Sequence, residues 1–310
     1  MFHAPPPFRH CARTRPLQRV LLCLAVLLMA FACPAAASGL PASQGMPGFQ
    51  HSAWRVGQGA PGDIWDIAQD RQGTLWLATG AGLYRFDGHR FERQAPPAGT
   101  GFPSTNMVSL LLDPDDSLWI GYFQAGISHL RHDTLDTFRT GRDLPSGPVP
   151  HLARDAGGRL WAAVQGGLQW YDGQRWQPPT PLMQAPTGRA HWVQRDRSGT
   201  LWVLVDTALW RLPKGSDRFE PTGVPVSPHS VMGEDAAGLL WLADRRAGLS
   251  PLARDGKLLP VAERESRRLP GLLADRILFA RDGSLWGSRI GSGGVFRLDF
   301  EGGRPVMLQN

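Results

Sequence analysis

The 310-residue sequence predicts an all-β fold, a propeller of six recognisable four-stranded blades, on three observations: a Leu-Trp pair recurring six times, a fixed Asp and Gly ahead of it, and a composition of short strands and turns. The pairs are Leu75-Trp76, Leu118-Trp119, Leu160-Trp161, Leu201-Trp202, Leu240-Trp241 and Leu285-Trp286, a period of about 42 residues. Asp70, Asp113, Asp155, Asp196 and Asp235 stand six residues before the Trp, and Gly73, Gly158, Gly199, Gly238 and Gly283 stand three before it. Asp116 replaces the Gly in the second copy, and Ala280 replaces the Asp in the sixth. Thirty-seven Gly and 27 Pro punctuate the chain, while 12 Trp suit pleated surfaces.

Each copy reads as four strands, a to d, which in the first are Ile64–Ala68, Thr74–Thr79, Gly82–Phe86 and Arg90–Gln94. The Asp-x-x-Gly step between a and b is a tight turn, because Asp caps its own backbone and Gly tolerates positive φ. Asp87-Gly88 and Asp172-Gly173 read as two-residue hairpin turns. A unit that returns by hairpins makes a blade, whereas a solenoid would advance through parallel strands. The repeat Trp residues are expected to fill the wedge between blades. Trp54, Trp65, Trp170, Trp176, Trp192 and Trp210 lie off the repeat and are freer for other work.

Residues 1–37 differ from the rest: Arg9, Arg13, Arg15 and Arg19 precede an apolar run, Val20 to Ala32, and then Cys33-Pro34-Ala35-Ala36-Ala37. This predicts a secretory signal cleaved after Ala37. The run is too short for the roughly 20 residues a membrane-spanning helix takes. Lipoprotein anchoring at Cys33 is the alternative, disfavoured by the bulky Phe31 where small residues belong. Residues 38–48 read as a linker and 49–310 as the propeller. Four of the charges behind the formal net charge of +6 sit in the signal, as do all three Cys. The remainder lacks the concentrated basic face that nucleic-acid binding needs.

Asp70-x-x-Gly73-x-Leu75-Trp76-x-Ala78-Thr79 leading into Gly82-Leu83-Tyr84-Arg85-Phe86-Asp87-Gly88, within Ile64–Phe91, resembles the two-component regulator propeller repeat. The likeness runs from about residue 49 to 310 and is strongest in copies one and three. It implies a periplasmic sensory module, in a family whose members usually form seven-bladed rings ahead of a membrane helix and a histidine kinase or diguanylate cyclase. No kinase or cyclase signature is visible through Asn310, so any output domain is expected outside this chain, in a membrane-bound signalling partner. Closure is left open between a six-bladed ring and an incomplete seven-bladed one. Phe49–Val56 reads as an outer strand ahead of blade one, while copy six has its own near Pro305–Gln309.

The function predicted is extracytoplasmic ligand sensing or binding, in the periplasm or secreted, with no catalytic residue, metal or cofactor. His129-x-x-His132 lacks a third ligand at a zinc-site spacing. No Gly-x-Ser-x-Gly turn occurs, and no Cys follows the signal. The alternatives are a scaffold for protein contacts and a carbohydrate-active hydrolase or lyase. Against the last, a sialidase-type box keeps one residue between Asp and Gly, where this repeat keeps two. Recognition is expected on the variable b–c and d–a loops, which hold Asn106, Tyr122, Gln124, Arg245, Arg246 and Arg289. It is also expected on the channel-lining residue ten before each repeat Trp: Asp66, Ser109, His151, Trp192, Val231 and Arg276. That register is uncertain by one residue, which would turn the set between blades instead. Arg forks with Tyr122 and Trp192 for stacking suit an acidic oligosaccharide or another polar small ligand.

Overall fold

The computed structural model describes residues 53–289, 294–301 and 304–307; the expected signal, the linker and the start of Phe49–Val56 lie outside them. Six antiparallel sheets of four strands follow one another along the chain. The first holds β1 (Ile64–Gln69), β2 (Leu75–Thr79), β3 (Gly82–Phe86) and β4 (Phe91–Arg93), and the second β5 (Met107–Leu112), β6 (Leu118–Tyr122), β7 (Ile127–Arg131) and β8 (Thr134–Phe138). The third holds β9 (His151–Arg154), β10 (Leu160–Val164), β11 (Gly167–Tyr171) and β12 (Trp176–Gln177), and the fourth β13 (Ala190–Arg195), β14 (Leu201–Val205), β15 (Ala208–Leu212) and β16 (Glu220–Pro225). The fifth holds β17 (Val231–Glu234), β18 (Leu239–Asp244), β19 (Gly248–Arg254) and β20 (Lys257–Leu258), and the sixth β21 (Arg276–Phe279), β22 (Leu285–Ser288), β23 (Val295–Glu301) and β24 (Arg304–Met307). Each sheet is a blade, and the chain is a six-bladed β-propeller.

The repeat motif does more than turn the chain. Asp155 Oδ1 accepts the Gly157 and Arg159 backbone N–H groups at 2.9 Å, and its Oδ2 accepts Trp161 Nε1 at 2.9 Å. Asp70, Asp113, Asp196 and Asp235 likewise accept the indole N–H six residues on. A Trp can therefore be buried without orphaning its polar atom. Where Ala280 removes the carboxylate, Trp286 Nε1 donates to Ser284 Oγ at 3.1 Å. Gly158 has φ +86°, and Asp116 adopts φ 64° in its stead, which Asp tolerates better than most residues.

Two local expectations change. The c–d turns of blades 1 and 3 are four residues long, since Phe86 pairs with Phe91 and Tyr171 with Trp176. Asp87 Oδ1 accepts both His89 N and Arg90 N, and Asp172 Oδ1 accepts Gln174 N and Arg175 N, so a side chain helps to close each turn, joined in the second by the Asp172 N–H bond to Arg175 O. The described part of Phe49–Val56 is not a strand. Val56–Gln58 is a 3₁₀ turn ended by Gly59 at φ 88°, and Trp54 packs edge-on against Phe86 and Phe91. One short helix, α1 (Val261–Ser266), follows Pro260 in the connection between blades 5 and 6.

The core lies between blades. Trp119, Trp161, Trp202 and Trp241 are almost wholly buried. Their covers come from the following blade: Tyr171 and Trp176 over Trp119, Phe219 over Trp161, Phe279 and Phe300 over Trp241. Arg side chains join neighbouring blades at the a–b end, Arg71 to Asp116, Arg154 to Asp113, Arg197 to Ala236 O and Arg211 to Gly256 O, and the Arg197 backbone N–H donates to Glu234. The junction of blades 6 and 1 differs. Ile67 is 53% exposed, whereas Leu110, Leu152, Val193 and Met232, which pair at the same place in their own sheets, are buried. Leu278 on β21 of blade 6 is 67% exposed.

Candidate functional site

First strands pack side by side between blades 1 and 2, 2 and 3, 3 and 4, and 5 and 6, which brings the residues that open them toward the d–a end of the ring. Asp66 and Ser109 spend their polar atoms between blades. Asp66 Oδ2 accepts Leu110 N at 2.8 Å, Oδ1 accepts Ile67 N at 2.9 Å, and Ser109 Oγ donates to Val149 O at 2.6 Å. His151, Trp192 and Arg276 form a stack. The His151 ring lies 3.8 Å from the Trp192 ring at 34°, and the Arg276 guanidinium sits 5.4 Å from the Trp192 centroid. Blades 3, 4 and 6 thus meet in one column, an arrangement possible only near the axis. Val231 of blade 5 is buried beside them as an apolar wall.

The electrostatics follow from burial. Desolvation pushes the Asp66 carboxyl up to about 6, against two backbone hydrogen bonds and the charge of Arg276. Desolvation pushes the His151 imidazole down to about 3, helped by the positive Arg276. His151 is therefore neutral near pH 7, and its buried Nδ1 has no hydrogen-bond partner among the described residues. Arg276 Nη1 donates to Asp275 O at 3.1 Å. The arrangement offers a planar cation, a neutral imidazole and a carboxyl that titrates at about 6.

The loop residues fare differently. Tyr122 ends β6 and is buried, its hydroxyl donating to Ser128 Oγ at 3.1 Å, and burial holds the phenol well above its ordinary range. It is a core residue, unavailable for stacking on a ligand. Trp192 is also buried, its faces taken by His151 and Arg276 and its Nε1 by Gln194 Oε1 at 3.0 Å. Arg245 is tied to Asp275 by Nε, and Arg289 Nε donates to Leu273 O at 3.2 Å while its guanidinium lies 4.8 Å from the Phe296 centroid. Arg246 and Gln124 are exposed. Asn106 is half-buried, with an Oδ1 that has no partner among the described residues. His129 stacks on Trp119 at 3.8 Å and 8°, and its Nε2 shares a hydrogen bond with Ser117 Oγ, so it is part of blade packing.

Sequence reasoning missed the buried Asp275, which anchors Arg245 from 30 residues away. Nothing local marks such a pair. Arg245→Ala is expected to lower stability by about 1–2 kcal/mol, because a charged hydrogen bond to a buried carboxylate is lost. Arg246→Ala should stay within about 0.5 kcal/mol. Thermal melts of the two single variants check this, and equal melts would contradict the assignment.

The comparisons agree with this architecture. The family described as two component regulator propeller matches residues 58–81, overlapping the stretch Ile64–Phe91 whose motif carries the resemblance. No curated protein matches. Among solved structures, the extracellular domain of the putative hybrid two component system BT3049 from B. thetaiotaomicron is similar, with 17% identity and a TM-score of 0.65. The alignment covers 84% of this chain and 36% of that one, so the chain spans about a third of its length. A streptogramin B lyase is similar at 12% identity and a TM-score of 0.58, covering 80% of this chain and 83% of that one. PorZ, a surface component of the type-IX secretion system of Porphyromonas gingivalis, is similar at 15% identity and a TM-score of 0.55, covering 80% and 42%. At such identities the likeness is one of fold. No helix among the described residues is long and apolar enough to cross a membrane.

Proposed function

We propose that the chain is an extracytoplasmic ligand-sensing or binding propeller, periplasmic or secreted, that recognises a polar ligand at the d–a mouth of its axis and performs no chemistry on it. The observation that carries this is the column of His151, Trp192 and Arg276 beside Asp66, drawn from four blades, with an imidazole nitrogen buried and unpartnered among the described residues. Buried polar atoms are normally satisfied, and one left over at a channel mouth favours a group from outside. The likeness to an extracellular two-component domain supports a sensory role, with output passed to a membrane-bound signalling partner. An acidic oligosaccharide is the preferred ligand; Arg245 and Arg289 are bonded to Asp275 and Leu273 O, Arg246 is exposed with no side-chain hydrogen bond among the described residues, and Arg276 takes over the anion-binding part.

Purified protein screened by thermal shift against neutral and acidic oligosaccharides, with product analysis, tests the reading. Stabilisation without turnover is expected, and saturation at a hundred times Kd corresponds to about 2.7 kcal/mol. Turnover would replace the reading with a carbohydrate-active hydrolase or lyase. Silence across the panel would replace it with a protein scaffold.

A further inference from the structure

We propose that the outer edge of β11 in blade 3 is a docking site for an extended, uncharged peptide segment of a partner protein, which adds a strand to the blade at Leu168, where the chain's own fourth strand stops short. None of the residues that form it belongs to the column of His151, Trp192 and Arg276.

Two prolines leave this edge open. β12 is only Trp176–Gln177, and it pairs with Tyr171 and Trp170. Continued by two residues, that register would set Pro179 opposite Leu168, and proline has no N–H to give to the ladder. In blades 1, 2, 4 and 5 the counterpart of Leu168, which lies opposite the second residue after the repeat Trp, is covered. Gln94 N donates to Leu83 O at 2.8 Å in blade 1, Thr222 Oγ1 donates to Leu209 O at 2.7 Å in blade 4, and in blade 5 Leu249 exchanges both backbone bonds with Leu269 at 3.1 and 2.7 Å. Ile127 pairs with Phe138 in blade 2. Leu168 has no such partner on its outer side among the described residues. Its carbonyl accepts Nε2 of the adjacent Gln169 at 2.8 Å, and a carbonyl oxygen with two lone pairs keeps room for a backbone N–H beside it.

Beyond Pro179 the connection to blade 4 makes the 3₁₀ turn Pro181–Met183 and leaves it through Gln184 at φ 49°. The connection is pinned, because Met183 and Ala185 pack on the core shared by blades 3 and 4 and Phe219 N donates to Met183 O at 2.8 Å. Between it and the open edge lies a groove of about 460 Å³, lined by residues 166–169 of the edge and by residues 178–181 and 184–188 of the connection. A strand added here continues the ladder that Trp176 and Gln177 begin, with backbone bonds supplying affinity and no wall left to order. Residues 167–169 give it roughly 10 Å of partner strand. No lining residue is charged, so a charged side chain entering the groove would lose hydration without gaining a partner. The segment that matches is therefore uncharged.

Fluorescence anisotropy of the purified protein with labelled, capped heptapeptides that alternate Thr with Val, Ile, Phe or Tyr tests this, together with amide hydrogen exchange read by mass spectrometry. At least one of these peptides should bind and slow exchange in the segment holding residues 167–169. The same peptide N-methylated at alternate amides, made in each of the two frames, keeps its side chains and loses ladder donors; in at least one frame it should bind at least tenfold more weakly. A version with Glu in place of two Thr should also bind at least tenfold more weakly. Thr180→Trp combined with Thr187→Trp, at two exposed positions of the groove wall, should lose binding at an unchanged melt. Should the double variant melt lower, Thr187→Trp alone serves. Absence of binding across the peptides, protection confined to other segments, equal binding in both N-methylated frames, or unchanged binding by the groove-filling variant would each overturn the proposal.

Discussion

Trp161→Ala is expected to destabilise the protein by about 3–5 kcal/mol, the cost of emptying a wholly buried indole site. The ring touches Phe219 edge-on at 5.3 Å, carries Arg159 over its face at 5.7 Å, and belongs to the core that also holds Ala153, Leu168, Val193 and Leu201. The upper end of that range applies because Asp155, itself buried, loses the indole N–H from Oδ2. Trp161→Phe keeps most of the volume and should cost less, about 1–3 kcal/mol. Trp286→Ala is the internal control, since Trp286 is only half-buried at the junction of blades 6 and 1 and its loss should be smaller. Urea midpoints at an unchanged slope read the series. A Trp161→Ala melt no lower than that of Trp286→Ala would show that the repeat indole is not the packing element.

The second large effect is in the pH dependence of stability. The folded protein depresses His151 to about 3, so the unfolded chain, with an ordinary histidine near 6.5, binds the proton first. Its contribution is present above about pH 6.5 and is lost as pH falls toward 3, about 2–3 kcal/mol of it by pH 4.5. Asp66 has the opposite sign. Its folded value of about 6 lies above the unfolded one near 3.8, so the folded state binds the proton first and gains stability as pH falls from about 6 to 4. Over that window the two largely offset each other in the native chain. His151→Phe should remove the acid loss and gain stability on acidification, whereas Asp66→Asn should expose it and fall more steeply. Urea midpoints at pH 4.5, 6 and 7.5 separate them. Parallel pH profiles for both variants and the native chain would mean that neither side chain is held as described.

Most of the blade was legible in the sequence because it is encoded within a few residues. Asp70 and Gly73 position the turn, Leu75 and Trp76 start the next strand, and the Gly82–Phe86 strand is found where it was expected. The second task of the Asp could also have been read, since its six-residue distance from the Trp recurs through five copies and an indole N–H needs an acceptor when buried. The column of His151, Trp192 and Arg276 was legible as a register, ten residues ahead of each repeat Trp, but not as a stack. The same register sends Asp66 and Ser109 to backbone atoms of the next blade.

Six repeats, their strand order and the burial of Trp119, Trp161, Trp202 and Trp241 could be read from the sequence, because hairpin pairing and Asx turns join neighbours along the chain; closure of the ring and the half-burial of Trp76 and Trp286 could not. Only the tertiary structure decided which side chains are spent. Tyr122 lies at the end of a strand and turns into the core, Arg245 is held by an Asp 30 residues away, and Ile67 stays exposed where its counterparts are covered. Each of these depends on the neighbouring blade, about 40 residues removed in sequence, and on which face of a strand a residue occupies. A shift of one position reverses that face, so local pattern leaves it undetermined until the blades are packed.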